Sequence, residues 1–90
     1  MKKLTANQIA KYAGARLAGG PADNTADRVV RDSREATEGT VFIALKGEKS
    51  DGNSYAVSAA EGGCQVMLLS DTEAADAVIK AHPEVSVLLA

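Results

Sequence analysis

Three short apolar runs alternate with amphipathic stretches in the second half of the chain, and this alternation predicts the fold. Residues 41–45, 64–69 and 85–89 are almost entirely apolar, as expected for strands that are covered on both faces of a sheet. The stretches between them favour helices, one from residue 53 or 54 to residue 61 and another that ends near residue 81. The order strand, helix, strand, helix, strand predicts an α/β fold: a small mixed, mostly parallel sheet with helices packed on it.

The first half of the chain has a weaker pattern. Thr5 and Gln8 are spaced as a capping box, which predicts a short helix over residues 6–13 that ends at Gly14. Residues 15–18 and 27–32 are candidate short strands. A second capping box, Ser70 with Glu73, predicts the start of the last helix. The residues predicted to share the inner helix faces are Ile9, Tyr12, Ala13, Tyr55, Ala56, Ala59, Ala74, Ala77, Val78 and Ala81.

Composition and charge narrow the class of protein. The chain has 90 residues, enough for one compact domain, and 46% of them are apolar. A net charge of −2 argues against a general nucleic-acid binder, which needs a clustered basic face. The single cysteine, Cys64, cannot form an intrachain disulfide, and no signal sequence or membrane-spanning run of about 20 apolar residues is present. These features predict a cytoplasmic protein that does not act on membranes.

Polar segments on either side of the strand at residues 41–45 form the candidate site. Lys46 and Gly47 directly follow this strand, and Asp32-Ser33-Arg34 follows the preceding one. Ligands of open α/β sheets bind outside the carboxyl ends of the strands. Amides at the start of the next helix favour an anion, and Lys46 and Lys49 add positive charge. The segments therefore predict a cradle for a phosphorylated, nucleotide-like ligand, with Ser33 as hydroxyl partner and Arg34 as phosphate partner.

A structural interpretation of the same residues stays open. Asp32 is equally suited to pair with Arg34 or to cap backbone amides, and the segment "GEKSDG" is typical of a solvated loop. Cys64 is interpreted as a small buried apolar residue and His82, in the last turn of a helix, as structural. No metal-ligand cluster or GxxxxGK[ST] motif is present, so the chain has no site of its own for ATP phosphates.

The stretch of residues 32–63 resembles the N-terminal domain of the Mur ligases, and with the first helix, the "GG" turn and the final strand the resemblance covers nearly all 90 residues. The matching motif comprises "DSR", "GTVFIALKG", "DGNSY" and "AAEGGCQVMLL", in the order and spacing of that family. The fragments "LKGE" and "LAGG" are most similar to the member that joins D-alanyl-D-alanine to UDP-MurNAc-tripeptide. The alternative is the member that adds L-lysine or meso-diaminopimelate to UDP-MurNAc-dipeptide.

The resemblance implies which residues hold the UDP part of a UDP-MurNAc-peptide. Carried over by motif, Ser33 and the loop after the strand contact the uridine region, whereas Arg34 and Lys46 are structural or face phosphate. Asn53 stands where the family has a histidine; it can cap a helix but carries no charge. The implied substrate-binding residues are Ser33, Arg34, Lys46, Gly47, Glu48, Lys49, Ser50, Asp51 and Asn53, with no catalytic or metal-binding residue.

The resemblance also implies what lies outside these residues. Mur ligases build peptidoglycan precursors by ATP-dependent amide formation with Mg²⁺, in a central ATP-binding domain and a C-terminal domain. Residues 1–90 are therefore expected to be one UDP-substrate-binding domain of a longer, truncated ligase, inactive alone. Two alternatives stay open: a free-standing nucleotide-binding module without a catalytic partner, and a structural or interaction domain that binds nothing at this loop.

Overall fold

The computed structural model of the protein describes residues 2–45 and 55–90. In chain order the elements are β1 (Leu4–Thr5), α1 (Ala6–Ala13), β2 (Arg16–Gly19), β3 (Thr25–Ala26), β4 (Arg28–Val30), a 3-10 turn (Ser33–Glu35), β5 (Thr40–Ala44), α2 (Ala56–Glu61), β6 (Val66–Leu69), α3 (Thr72–Ala81) and β7 (Ser86–Leu89).

The main sheet has five strands in the order β2-β7-β6-β5-β4. Strands β4, β5, β6 and β7 are parallel neighbours, and β2 pairs with β7 in the antiparallel direction. Strands β1 and β3 form a separate two-stranded antiparallel ladder. The predicted mixed, mostly parallel sheet is therefore confirmed, and the carboxyl ends of β4 and β5 lie side by side at one edge.

Helix α1 has the predicted bounds and the predicted cap. The Gln8 amide donates to Thr5 Oγ1 at 3.2 Å, and the Thr5 amide donates to Gln8 Oε1 at 2.9 Å. Gly14 ends the helix in the left-handed region, with φ of 67°. The capping box therefore satisfies two amides that the first turn would otherwise leave without partners.

Alternating residues of the strands build two apolar cores, one on each face of the sheet. The core on one face packs under α2 and α3, around Phe42, Met67, Leu69 and Val87. The core on the other face packs under α1, around Val41, Val66, Leu68 and Leu88. Both faces of the sheet are therefore apolar, which explains the nearly continuous apolar runs of β5, β6 and β7.

Several predicted helix orientations are wrong. Tyr12 and Ala13 are exposed on α1, where Ala6, Ile9 and Ala10 are the buried residues. In α3 the cap is the Asp71 carboxylate, which accepts from the Glu73 amide, rather than Ser70.

The inner face of α3 carries Ala75 and Val78, with Ile79 partly buried, whereas Ala77 and Ala81 are exposed. Burying the branched Ile79 removes more apolar area from water than burying either alanine, and this sets the rotation of the helix. In the part of the chain that the structure describes, no helix is long and apolar enough to span a membrane.

Candidate functional site

The Asp32-Ser33-Arg34 segment forms a compact turn immediately after β4. Asp32 caps the 3-10 turn, its Oδ1 accepting from the Arg34 amide at 2.9 Å. The Arg34 guanidinium also contacts the same carboxylate: Nε lies 3.1 Å from both oxygens and Nη2 lies 2.7 Å from Oδ2. Both parts of the structural interpretation, the cap and the ion pair, are therefore present in this turn.

The electrostatics of this pair follow from its geometry. Hydrogen bonds from the Arg34 side chain and then its amide lower the Asp32 pKa from 3.8 to about 2. The same side-chain hydrogen bonds raise the pKa of Arg34. The pair is thus charged on both sides over the whole physiological range.

The ion pair leaves part of the guanidinium available. The Arg34 side chain is 88% exposed, and Asp32 engages it through Nε and Nη2. A guanidinium has five N–H donors in a planar fork, so the edge that includes Nη1 faces away from the carboxylate. Asp32 therefore both orients Arg34 and leaves it able to bind a second anion through that outer edge.

The turn borders a surface cavity at the carboxyl edge of the sheet. This cavity has a volume of about 390 Å³ and is lined by Asp32, Ser33, Arg34 and Tyr55. A cavity of this size falls within the range of small-molecule sites. The prediction that Tyr55 points inward is wrong, since this residue is 54% exposed. The polar residues that precede it in the sequence are the signal that could have placed it beside this cavity.

The floor of this site is anchored to the core. Ala36, directly after the 3-10 turn, is 1% exposed and packs in the same cluster as Ala56 and Ala59 of α2. A Cβ added at Gly62 would lie 3.0 Å from the Ala36 carbonyl oxygen, so turn and helix approach closely. Both walls of the cavity therefore start from fixed backbone, which positions Ser33 and Tyr55 relative to one another.

The structure describes only two of the predicted substrate-binding residues. Ser33 and Arg34 lie together in the wall of the cavity. The other predicted residues lie outside the described residues: Lys46, Gly47, Glu48, Lys49, Ser50, Asp51 and Asn53.

The remaining candidates take structural places. Cys64 is 1% exposed, its Sγ lies 3.0 Å from the Val66 carbonyl oxygen, and burial raises the pKa of its thiol. A buried thiol of this kind is a poor nucleophile, as the sequence indicates. His82 Nδ1 lies 3.3 Å from a Glu84 carboxylate oxygen at the end of α3. Residues 2–45 and 55–90 contain no cluster of side chains that would hold a metal ion.

A second polar cavity, of about 430 Å³, lies at the opposite edge of the sheet. Its lining carries both signs of charge, with Lys3 and Arg28 beside Asp27 and Glu38. These residues stand at the amino ends of the parallel strands or beside them. Ligands of such sheets bind at the carboxyl ends, so the smaller cavity beside Ser33 is the better candidate site.

A mostly parallel sheet with helices on both faces defines an α/β domain, and a polar turn and a cavity at its carboxyl edge form the candidate site. A family model described as "Mur ligase family, catalytic domain" matches residues 25–88. The chain belongs to the Mur ligase family, and the resemblance drawn from its motifs is confirmed. The description names a catalytic domain, although the sequence has no P-loop motif.

Individual relatives agree with this assignment. The UDP-N-acetylmuramoyl-tripeptide–D-alanyl-D-alanine ligase of Escherichia coli K12 is 39% identical over 70 residues, covering 78% of this chain and 15% of that protein. A UDP-N-acetylmuramoyl-L-alanyl-D-glutamate–2,6-diaminopimelate ligase from Synechococcus sp. WH7803 is 33% identical over 88% of this chain and 15% of its own length.

The fold itself has a close counterpart among solved structures. A crystal structure of MurF from Acinetobacter baumannii matches 99% of this chain with a TM-score of 0.72 and 25% identity, and the match covers 18% of that protein. The chain therefore spans less than a fifth of the length of these relatives.

Proposed function

We propose that the chain is the N-terminal substrate-binding domain of a peptidoglycan-precursor ligase and that it holds the UDP group of a UDP-MurNAc-peptide. The observation that carries this proposal is the cavity lined by Asp32, Ser33, Arg34 and Tyr55 at the carboxyl edge of the sheet. It combines a hydroxyl, an exposed guanidinium and an aromatic ring, the groups that suit a ribose, a diphosphate and a flat base. Family membership supplies the kind of ligand.

The proposal includes the seven predicted residues between Lys46 and Asn53. They follow β5, the neighbour of β4 in the sheet, so the chain enters this segment from the edge that holds the cavity. Lys46 and Lys49 would add positive charge beside Arg34 for the diphosphate. Asn53 would serve as a neutral partner where the family has a histidine.

The reaction proposed for the whole ligase is ATP-dependent joining of D-alanyl-D-alanine to UDP-MurNAc-tripeptide. Similarity to the Escherichia coli and Acinetobacter baumannii proteins supports this choice. ATP and Mg²⁺ would bind in a central domain, because these 90 residues lack a P-loop motif. The domain alone would then be inactive, and it would work in the cytoplasm beside the central and C-terminal domains.

A second candidate is a ligase that adds diaminopimelate to UDP-MurNAc-dipeptide. It is favoured by similarity to a Haemophilus ducreyi protein named for that reaction, which is 49% identical over 37 residues, covering 41% of this chain and 7% of that protein. The reading frame beyond Ala90 should continue into a P-loop if either ligase is correct. The full-length product, assayed with each peptide and amine pair, separates the two reactions.

The direct test is an NMR titration of the labelled 90-residue chain with UDP-MurNAc-tripeptide and with UDP. We expect amide shifts at Ser33, Arg34 and Tyr55, and in the segment from Lys46 to Asn53, with both ligands. If neither ligand at millimolar concentration shifts these amides, the proposal for this chain is refuted. Shifts that cluster around the cavity beside Arg28 instead would refute it as well.

Paired variants sharpen this test. Ser33→Ala with Lys49→Ala should weaken UDP binding while leaving thermal stability nearly unchanged, because Ser33 lies outside both apolar cores and substitutions away from the core usually cost little. Lys80→Ala is the matched control: it removes the same charge from an exposed position near the far end of α3. Equal weakening by Lys80→Ala would point to net charge rather than to a site.

A further inference from the structure

Tyr55 is placed unusually for an aromatic residue in a chain that has only one Phe, two Tyr and no Trp. It is 54% exposed and lines the cavity beside Ser33 and Arg34. Burying its ring in the core would have removed a large apolar area from water. The alanines that follow it in α2 occupy the core instead: Ala56, Ala59 and Ala60.

The chemistry around the ring is asymmetric. One wall of the cavity carries the Asp32–Arg34 ion pair, whose outer guanidinium edge suits a phosphate. Tyr55 contributes a flat, uncharged surface to the same cavity, together with the small Ser33 hydroxyl. A ligand that uses all of these groups has an anionic end, a hydroxyl-bearing middle and a flat end.

The backbone holds these groups in a fixed relation. Ala36 ties the 3-10 turn to the core, and Ala56 does the same for the residue that precedes it, Tyr55. A preformed aromatic wall loses little conformational entropy on binding, because a tyrosine has only two side-chain torsions to restrict. Base stacking on aromatic side chains contributes about 1–3 kcal/mol per base.

From this juxtaposition we propose that Tyr55 is the stacking platform for the uracil ring of a bound uridine nucleotide, with Ser33 and Arg34 on the ribose and phosphate side. The proposal rests on the proposed function and deepens it by assigning the base to one residue. It predicts that the base, and not only the diphosphate, contributes to affinity.

The two tyrosines make this assignment measurable by fluorescence. Because the chain has no Trp, Tyr12→Phe leaves Tyr55 as the only tyrosine emitter, and Tyr55→Phe leaves only Tyr12. Titration of the Tyr12→Phe protein with UDP should quench emission along the same saturation curve that NMR gives. Uracil also absorbs light, which lowers the measured emission without saturating. The Tyr55→Phe protein is the control for this effect, and its emission should fall only in that non-saturating way.

Affinity gives a second, independent readout. Tyr55→Ala should weaken UDP binding roughly 5- to 150-fold in calorimetry, whereas Tyr55→Phe keeps the ring and should stay within about threefold of the unchanged chain. Binding of ribose 5-phosphate, which lacks a base, should not change. Tyr12→Ala is the matched control, since it removes the other exposed tyrosine from α1.

The outcomes separate this inference from the function on which it rests. One outcome is that UDP binds and shifts Ser33, that it causes no saturable quench of Tyr55 emission, and that Tyr55→Ala binds UDP as tightly as the unchanged chain. This outcome overturns the stacking role and leaves the proposed function standing. Absence of any UDP binding by the unchanged chain overturns the proposed function, and the stacking role with it. A folded Tyr55→Ala protein, checked by circular dichroism, makes its affinity interpretable.

Discussion

The two faces of the five-stranded sheet are covered unequally. On one, the closed face, α2 and α3 pack over Phe42, Met67 and their neighbours. On the other, the open face, α1 has only eight residues and covers the sheet in part. There an apolar groove of about 290 Å³ remains, bounded by α1 residues such as Tyr12 and by Val29 and Ile43 of the sheet.

The difference shows how this small domain divides its apolar residues. A single short helix cannot cover five strands, so Val29 stays 52% exposed on the open face although it lies in a strand. Stability is therefore expected to come mainly from the closed face. That expectation is open to test, one contact at a time.

The largest effect should come from neighbouring residues of β5 that point to opposite faces. Phe42 is fully buried on the closed face, and Ile43 is half-buried on the open face. Phe42→Ala should lower the free energy of unfolding by about 3–5 kcal/mol through lost burial and a cavity. Ile43→Ala should cost about half as much, because part of its side chain stays in water. Equal losses in urea denaturation would contradict the unequal division.

A smaller effect should come from Gly19, where α3 approaches the sheet. A Cβ at this position would lie 2.6 Å from Ile79 Cγ1. Gly19→Ala should therefore cost about 1–3 kcal/mol, the usual range for overpacking.

Thermal unfolding of the double variant tests the cause of that loss. Adding Ile79→Ala should restore part of the stability, giving a double-mutant cycle that is far from additive. Additive losses would mean that Gly19 is needed for its backbone and not for space.

The cap of α1 tests the open face in the same way. Thr5→Ala removes the hydroxyl that accepts from the Gln8 amide, and it should cost about 1 kcal/mol. Thr5→Ser keeps the hydroxyl and should stay close to the unchanged chain. Hydrogen exchange should show faster opening of α1 while amides of β6 keep their protection; uniform loss of protection would show that both faces open together.

The exposed ring of Tyr12, beside the groove, should contribute less than the cap. Tyr12 is 80% exposed, so Tyr12→Ser should change the free energy of unfolding by no more than about 0.5 kcal/mol. A substantial loss in chemical denaturation would mean that the ring covers apolar surface that its exposure conceals.

The elements of the fold are predictable because their signals are local. The Thr5 capping box, the Gly14 stop and the apolar runs of β5, β6 and β7 act through neighbouring residues, and all appear where the pattern places them. Helix orientation depends on competition between residues for the core. Ile79 displaces the alanines at 77 and 81 in that competition, and periodicity alone does not resolve it.

The site is predictable in part for the same reason. Position at the carboxyl edge follows from topology, so the order of strands along the chain is enough to place Ser33 and Arg34 there. The Asp32–Arg34 pairing is one of two open interpretations, because spacing cannot say which anion a guanidinium meets. The pattern assigns Tyr55 to the core instead, since aromatic residues usually contribute most when they are buried.

The Asp32–Arg34 pair lies outside both faces of the sheet. Its titration should therefore not change how much each face contributes to the stability of the domain. The pKa of Asp32, about 2, is depressed from its ordinary 3.8. The stabilisation that this carboxylate supplies is therefore complete above that ordinary value and disappears as the pH falls through about 2.

Removing the guanidinium should have the smallest effect on stability, and it separates the two causes of that depression. Arg34→Gln should raise the Asp32 pKa most of the way back, while the hydrogen bond from the backbone amide keeps part of the shift. Carboxyl ¹³C NMR across the acid range measures this directly, with Lys80→Gln as the control for lost charge. An Asp32 pKa that stays near 2 without the guanidinium would assign the depression to the cap alone. The contact between the two side chains would then contribute little in solution, because an interaction that leaves the pKa of Asp32 unchanged does not hold Arg34 either.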